Sequence, residues 1–193
     1  MADSLESLEP KRPLHDAKDT LIICLKTFFS THEEFTWSPN SKESKISITD
    51  AFPLDKDVKD SFPCIAVQRH PFTWRSGHLN QTVYNNLQDR HSGLDLLKGS
   101  FSCLCASTLG LESERLAEDV FLFFTRYRNI IAAKGLFDIS DLVIGDESVR
   151  KAGSDTDVVV VPVKIGVTTE NSWTVVESGN SLEDFTIRLN SIN

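Results

Sequence analysis

The chain has 193 residues, of which 40% are hydrophobic, and its 28 acidic and 20 basic side chains give a formal net charge of -8. This length suits one domain with its own core, and the negative charge disfavours a protein that holds duplex DNA by its phosphates. The sequence has no run of about 20 apolar residues and no apolar signal segment, so we expect a protein that remains in the cytoplasm.

Two amphipathic helices are predicted. Met1 to Pro13 is rich in charge and proline, and we expect a flexible arm there, followed by a single domain over residues 14–193. Apolar residues recur at three- and four-residue steps from Leu14 to Phe29, which predicts the first helix. Glu112 to Lys134 predicts the second. The apolar stripe of this second helix consists of Leu116, Val120, Phe123, Phe124, Tyr127 and Ile131.

Alternating or β-branched runs predict the strands. These runs are Lys45–Thr49, Phe62–Arg69, Ser100–Ser107, Ile139–Ile144, Asp157–Thr168, Trp173–Glu177 and the tail around Phe185–Leu189. A hairpin turn is expected at Thr169 to Ser172. Pro162 cannot donate to a β-ladder, so its strand should lie at an edge or carry a bulge there. The order of elements predicts an α+β fold, a mostly antiparallel sheet with two main helices packed on one face.

The stretch from His70 to Gly99 is polar, and we expect it to form a long loop excursion within the domain. Trp, Tyr and Arg side chains dominate the energetics of protein interfaces, and several of them stand in this stretch. A Trp that folds back over the sheet to seal the core is the alternative for Trp74. The candidate interface residues are Phe72, Trp74, Arg75, Tyr84, Arg90 and, outside the excursion, Pro162.

Sequence motifs for catalysis, phosphate binding or metal binding are missing. We therefore predict no catalytic residue, no cofactor and no metal ligand. The histidines lack a spaced carboxylate or cysteine partner, and the acidic residues near Asp141 lack the spacing of a calcium loop. We expect reduced, mostly buried thiols, with Cys103 and Cys105 on the same side of a strand. A zinc site is the alternative. The four cysteines are Cys24, Cys64, Cys103 and Cys105.

Two segments carry a resemblance to a known family: Phe62 to His70, and Ser100 to Gly135 with its Leu116-Ala117 pair. The chain resembles the tail terminator proteins of long-tailed bacteriophages. In that family an N-terminal helix is followed by a strand that begins with Phe-Pro, a hairpin, a long helix and closing strands. The likeness extends from about Leu14 to Val176.

The resemblance implies a structural virion protein, assembled in the host cytoplasm, that forms a homo-oligomeric ring, usually a hexamer. Such a ring caps the tail tube and joins the tail to the head connector, so the implied partners are a tail tube protein and a connector or neck protein, with no membrane. A closed ring needs two different complementary patches on each subunit, and an acidic channel lets DNA pass without specific binding. The alternatives are another connector or neck ring protein and a small cytoplasmic enzyme with an unrecognised site.

Overall fold

The structure is a computed structural model that describes residues 12–52, 62–76, 83–85, 90–134, 136, 138–152, 156–177 and 185–188. These residues form two helices and nine strands. In chain order the elements are α1 (Pro13–Phe29), β1 (Ser47–Thr49), β2 (Cys64–Arg69), β3 (Thr73–Ser76), β4 (Val83–Asn85), β5 (Arg90–Ser107), α2 (Gly110–Ala132), β6 (Asp138–Ile144), β7 (Ser148–Ala152), β8 (Thr156–Glu177) and β9 (Phe185–Arg188).

Helix α1 begins with proline in its first turn, where the missing N–H has no helical partner to lose. Asp16 near its start and Lys26 near its end complement the helix dipole. The buried residues recur at the predicted spacing, so the helix predicted from Leu14 to Phe29 is confirmed. They are Ala17, Leu21, Ile22, Leu25 and Phe29.

Helix α2 starts just after β5. The Ser107 hydroxyl accepts the Leu109 N–H at 3.1 Å and donates to the Glu112 carboxylate, which fixes the first turn. The predicted apolar stripe is buried except at Tyr127, which is 42% exposed. The predicted burial is therefore confirmed for five of the six residues. It is wrong for Tyr127, whose ring lies at the margin of the buried helix face.

The two long strands β5 and β8 form the centre of the sheet. They pair antiparallel from Arg90 opposite Val176 to Ser107 opposite Val159. The strand order is β1-β2-β5-β8-β6, with β3 and β4 also on β5, and β7 and β9 also on β8. Only the β1–β2 pairing is parallel among the described strands. The predicted α+β fold with a mostly antiparallel sheet is confirmed.

Both helices pack on the same face of the sheet. Side chains from α1, from α2 and from alternate positions in 101–105 of β5 and 161–167 of β8 belong to one buried cluster, which contains Leu21, Phe124, Cys103 and Val163. A smaller cluster lies on the opposite face of the sheet. Its members are Cys64, Ala66, Leu104, Ala106, Val158 and Val160.

The long loop predicted over residues 70–99 is wrong where the structure describes it. Strand β3 pairs with β5 from Thr73 opposite Lys98 to Ser76 opposite Asp95. The first half of β5 continues the central ladder through the same stretch. Pairing between strands satisfies backbone N–H and C=O groups whatever the polarity of the side chains. This polar segment therefore forms strands of the sheet instead of a loop.

The predicted hairpin at Thr169 to Ser172 is also wrong. Strand β8 runs without a turn through this stretch, where Thr169 pairs with Leu97 and Ser172 with Leu94. Thr169 is only 3% exposed. The polar residues that suggested a turn belong instead to a part of β8 that continues to pair with β5 beyond the main core.

Pro162 lies in an inner strand, so the first predicted alternative, a sheet edge, is wrong; the second, an irregularity at the proline, is closer to the structure, because the ladder on one side of β8 is interrupted there. The β5–β8 register passes through Leu104 opposite Pro162 without a shift. On the other side of β8, strand β6 ends at Ile144 and β7 begins at Ser148, which leaves a break opposite the proline. The Pro162 carbonyl accepts the Gly145 N–H at 2.8 Å. Because no residue of β6 or β7 pairs with Pro162, the missing proline N–H does not remove a hydrogen bond from the sheet.

The ends of the chain are described in part. Strand β9 pairs with the end of β8, which confirms the predicted last strand. The predicted flexible arm lies outside the described residues except for Arg12 and Pro13. Neither described helix is long and apolar enough to cross a membrane.

Candidate protein-docking surfaces

An open groove runs between α1 and α2 on the outer side of the helix layer. Its volume is about 630 Å³, within the range of about 300–1,000 Å³ typical of binding pockets. Three large apolar side chains at its rim reach solvent: Ile23 is 62% exposed, Ile130 60% and Tyr127 42%. A groove of this kind is a candidate for contact with another protein.

Aromatic rings form the base of the groove. The Phe28 and Phe123 centroids are 4.7 Å apart, and Tyr127 lies 6.4 Å from Phe28 and 5.6 Å from Phe123. Phe28 also meets the buried Phe29 edge-on at 5.0 Å. These contacts join the groove to the core and hold its shape.

Three threonines line the groove, two in α1 and one just past its end, yet they add little polarity. Each hydroxyl donates to a carbonyl oxygen of the preceding helical turn: Thr20 to Asp16 at 2.8 Å, Thr27 to Ile23 at 2.8 Å and Thr31 to Phe28 at 3.2 Å. A hydroxyl satisfied within the helix does not need a partner in the groove. The remaining methyl groups make this wall apolar.

Lys134, just past α2, is the only charged side chain among the described residues that line the groove. Burial raises the pKa of the Cys24 thiol, and the positive charge of Lys134 opposes this rise in part. Lys134 therefore lies near Cys24, in the wall of the groove. The site is an apolar channel with one ammonium group.

Trp74, a predicted interface residue, is 61% exposed. It lies on β3 opposite Leu97 of β5, so it is on the face of the sheet that the helices cover further along. The alternative in which Trp74 folds over the core is disfavoured by this exposure.

The other predicted interface residues lie apart from the groove. Phe72 packs edge-on against Phe101 at 5.3 Å and lies over Gly99, so much of its ring serves the core. Pro162 is half-buried in β8. The backbones of Arg75, Tyr84 and Arg90 lie in β3, β4 and β5, and their side chains lie outside the described part.

Replacement of Trp74 and Arg75 together by alanine is expected to impair assembly while the subunit stays folded. An exposed ring contributes little to the free energy of unfolding, which should change by less than about 1 kcal/mol, whereas such rings carry much of the energy of an interface. Urea unfolding tests the first statement, and an assay of the tail joining that the resemblance implies tests the second. Unchanged tail joining by the double variant would contradict the role in assembly.

The cysteines are thiols, three of them buried. Cys103 and Cys105 belong to the helix-side cluster, as predicted from their alternation, while Cys64 belongs to the cluster on the opposite face. The three therefore cannot converge on one zinc ion. Burial raises the pKa of Cys64 and of Cys103 to about 12 and that of Cys105 well above its usual value.

Only Cys24 is expected to react rapidly with a thiol reagent at pH 8 in the native protein. The thiolate is the reactive form. Burial raises the pKa of all four thiols, so access decides the rate, and only Cys24 among them is partly exposed. A colorimetric thiol count should give one fast thiol in native protein and four in denaturant. Cys24→Ser is the control and should remove the fast phase; a second fast native thiol would contradict the burial of the others.

His32 ties the loop after α1 to α2. Its Nδ1 accepts the Phe35 N–H at 3.1 Å, which places the proton on Nε2, 3.4 Å from an Asp119 carboxylate oxygen. Burial raises the pKa of Asp119 more than the attraction of His32 lowers it. Both ring nitrogens have partners in the fold, so His32 acts as a structural link.

His70 and Ser102 form a histidine–hydroxyl pair on the other face, with Nε2 2.7 Å from the serine oxygen. A nucleophilic serine needs access to substrate and a third group that orients the base. Ser102 is only 5% exposed, and no carboxylate in the described part of the chain bonds to His70. The pair is weak support for an enzyme.

The described residues contain no group of three His, Cys, Asp or Glu side chains placed to hold a metal ion. Comparison with known proteins adds no further guide: no protein-family model matches the chain, and no curated protein matches it significantly.

Sequence reasoning missed the groove between the helices. The sequence does contain an indication of the groove: Ile23 and Ile130 are apolar but lie outside the apolar stripes of the two predicted helices. Each alone is an ordinary exposed side chain. Only the packing of α1 beside α2 brings them to the same opening.

Proposed function

We propose that this protein is a structural subunit that assembles with copies of itself into a ring, in the manner of the phage tail terminators its sequence resembles. The observation that carries the proposal is the apolar groove between α1 and α2, with three large exposed side chains at its rim. Such surfaces mark contacts with other proteins.

The long central strands support the same role. Strands β5 and β8 have 18 and 22 residues, so β5 extends about 60 Å at about 3.4 Å per residue. Its helix-facing residues are buried from Phe101 to Cys105, and its first half carries β3 with the exposed Trp74. Each subunit thus offers, besides the groove, a second exposed surface at Trp74 that another protein can contact.

The ring would cap a tail tube and meet a head connector or neck protein on its other side. The net charge of -8 on each chain repels DNA phosphates, which suits a passage that DNA crosses without being held. Contacts between subunits would carry the function, with no reaction catalysed.

Ile130→Asp tests the proposal. Wild-type protein should form larger species as its concentration rises, and the variant should stay a monomer because the contact between copies would bury a carboxylate among apolar side chains. Sedimentation velocity over a concentration series measures this. The matched control is Leu122→Asp, on the same helix, 41% exposed and outside the groove, which should assemble like wild type. A wild type that remains monomeric at every concentration would contradict the proposal.

A further inference from the structure

A second exposed apolar surface lies at the start of α2. Leu109, Leu111 and Val149 are 64%, 63% and 65% exposed, and we call them the start patch. Gly110, between the leucines, lies beside Glu147 and Val159: a Cβ on this glycine would be 3.5 Å from a Glu147 carboxylate oxygen and 3.9 Å from the valine methyl carbons. Val159 is the strand partner of Val149. The three side chains therefore border one surface.

The start patch and the groove lie toward opposite ends of α2. Leu111 precedes Ile130 by 19 positions within the helix, which corresponds to about 28 Å at about 1.5 Å per residue. The two surfaces cannot cover each other within one copy. They are placed to meet between copies, head to tail.

Charge along α2 is divided in the same way. The first ten residues, 110–119, carry four acids and one base, Arg115, which pairs with Glu34 at 3.3 Å. Residues 120–134 carry three bases and no acid. Opposite charges at the two ends favour head-to-tail contact and disfavour contact between like ends. The acids are Glu112, Glu114, Glu118 and Asp119, and the bases are Arg126, Arg128 and Lys134.

We infer that the groove of one copy receives the start patch of the next copy. This inference rests on the proposed function, because it assigns the contact that joins neighbouring subunits of the ring. The apolar side chains of the patch cover Ile23, Tyr127 and Ile130, while the acids at the start of α2 face Lys134. One such contact uses two different surfaces, so it repeats from copy to copy until the ring closes.

The test is to block the two surfaces in separate variants and then mix them. Ile130→Asp blocks the groove and Leu111→Asp blocks the patch; both positions are exposed, so the fold should persist, which thermal unfolding checks. Each variant alone should lose all species larger than a monomer. An equimolar mixture should form a dimer of twice the 21.6 kDa chain mass, since one intact patch meets one intact groove and the chain of contacts ends there.

The outcomes separate the inference from the proposed function. Wild-type protein that never self-associates would defeat the ring proposal and this inference together. If the wild type assembles and Leu111→Asp assembles equally well, or if the mixture of variants contains monomers only, the assigned contact is wrong while the ring proposal stands.

Discussion

Phe124→Ala is expected to lower the free energy of unfolding by about 3 to 5 kcal/mol, because truncation of a buried Phe removes apolar contacts and leaves a cavity. Phe124 is fully buried in the cluster between α2 and the sheet and packs edge-on against Phe123 at 5.0 Å. Equilibrium unfolding in urea, with wild type beside it, measures the loss.

The control for this prediction is Leu122→Ala, two residues earlier in the same helix and 41% exposed. It removes a side chain of comparable apolar character from the solvent side, so it should change the free energy of unfolding by less than about 1 kcal/mol. A loss below about 1 kcal/mol for Phe124→Ala would mean that α2 presents a different face to the sheet.

Gly99→Ala is expected to destabilise the protein by about 1 to 3 kcal/mol, the usual cost of overpacking. A Cβ at this position overlaps the ring carbons of Phe72. The ring would have to leave its site, and its edge-on contact with Phe101 would be lost.

A double-mutant cycle isolates this clash. In a Phe72→Ala background the ring is absent, so Gly99→Ala should cost little or become neutral in urea unfolding. Equal losses in both backgrounds would show that the glycine serves the backbone of β5 and not the Phe72 ring.

The parts of the fold that the sequence predicts are those with a local signal. The 3.6-residue spacing of Leu21, Leu25 and Phe29, and that of Val120 and Phe124, is enough to locate both helices and their buried faces. The alternation at Cys103 and Cys105 predicts their common side for the same reason.

The errors arise where partners distant in sequence decide the structure. Thr169 to Ser172 looks like a turn, yet it pairs with Leu94 to Leu97 in the central ladder. The polar residues of β3 predict a loop when the sequence is considered locally, but in the structure they pair with β5 and form a strand. Hydrogen bonding to a neighbouring strand overrides a polar local pattern.

The candidate site could be predicted only in part. Trp74 stands out by residue type, and its exposure agrees with a docking role. The groove depends on two helices that meet only after folding, since Ile23 and Tyr127 are more than 100 positions apart in the sequence. Its apolar character depends further on hydroxyl groups satisfied within α1, as at Thr27, which no spacing rule reveals.

The most direct test of the ring claim is native mass spectrometry of the purified wild-type protein over a concentration series, with electron microscopy of the largest species. A closed ring predicts one dominant oligomer at a whole multiple of 21.6 kDa, expected to be a hexamer, with ring-shaped particles and no growth beyond that mass. A heterologous contact that closes must end at a fixed number of subunits. A species of 21.6 kDa at every concentration, or masses that increase without limit, would contradict the claim.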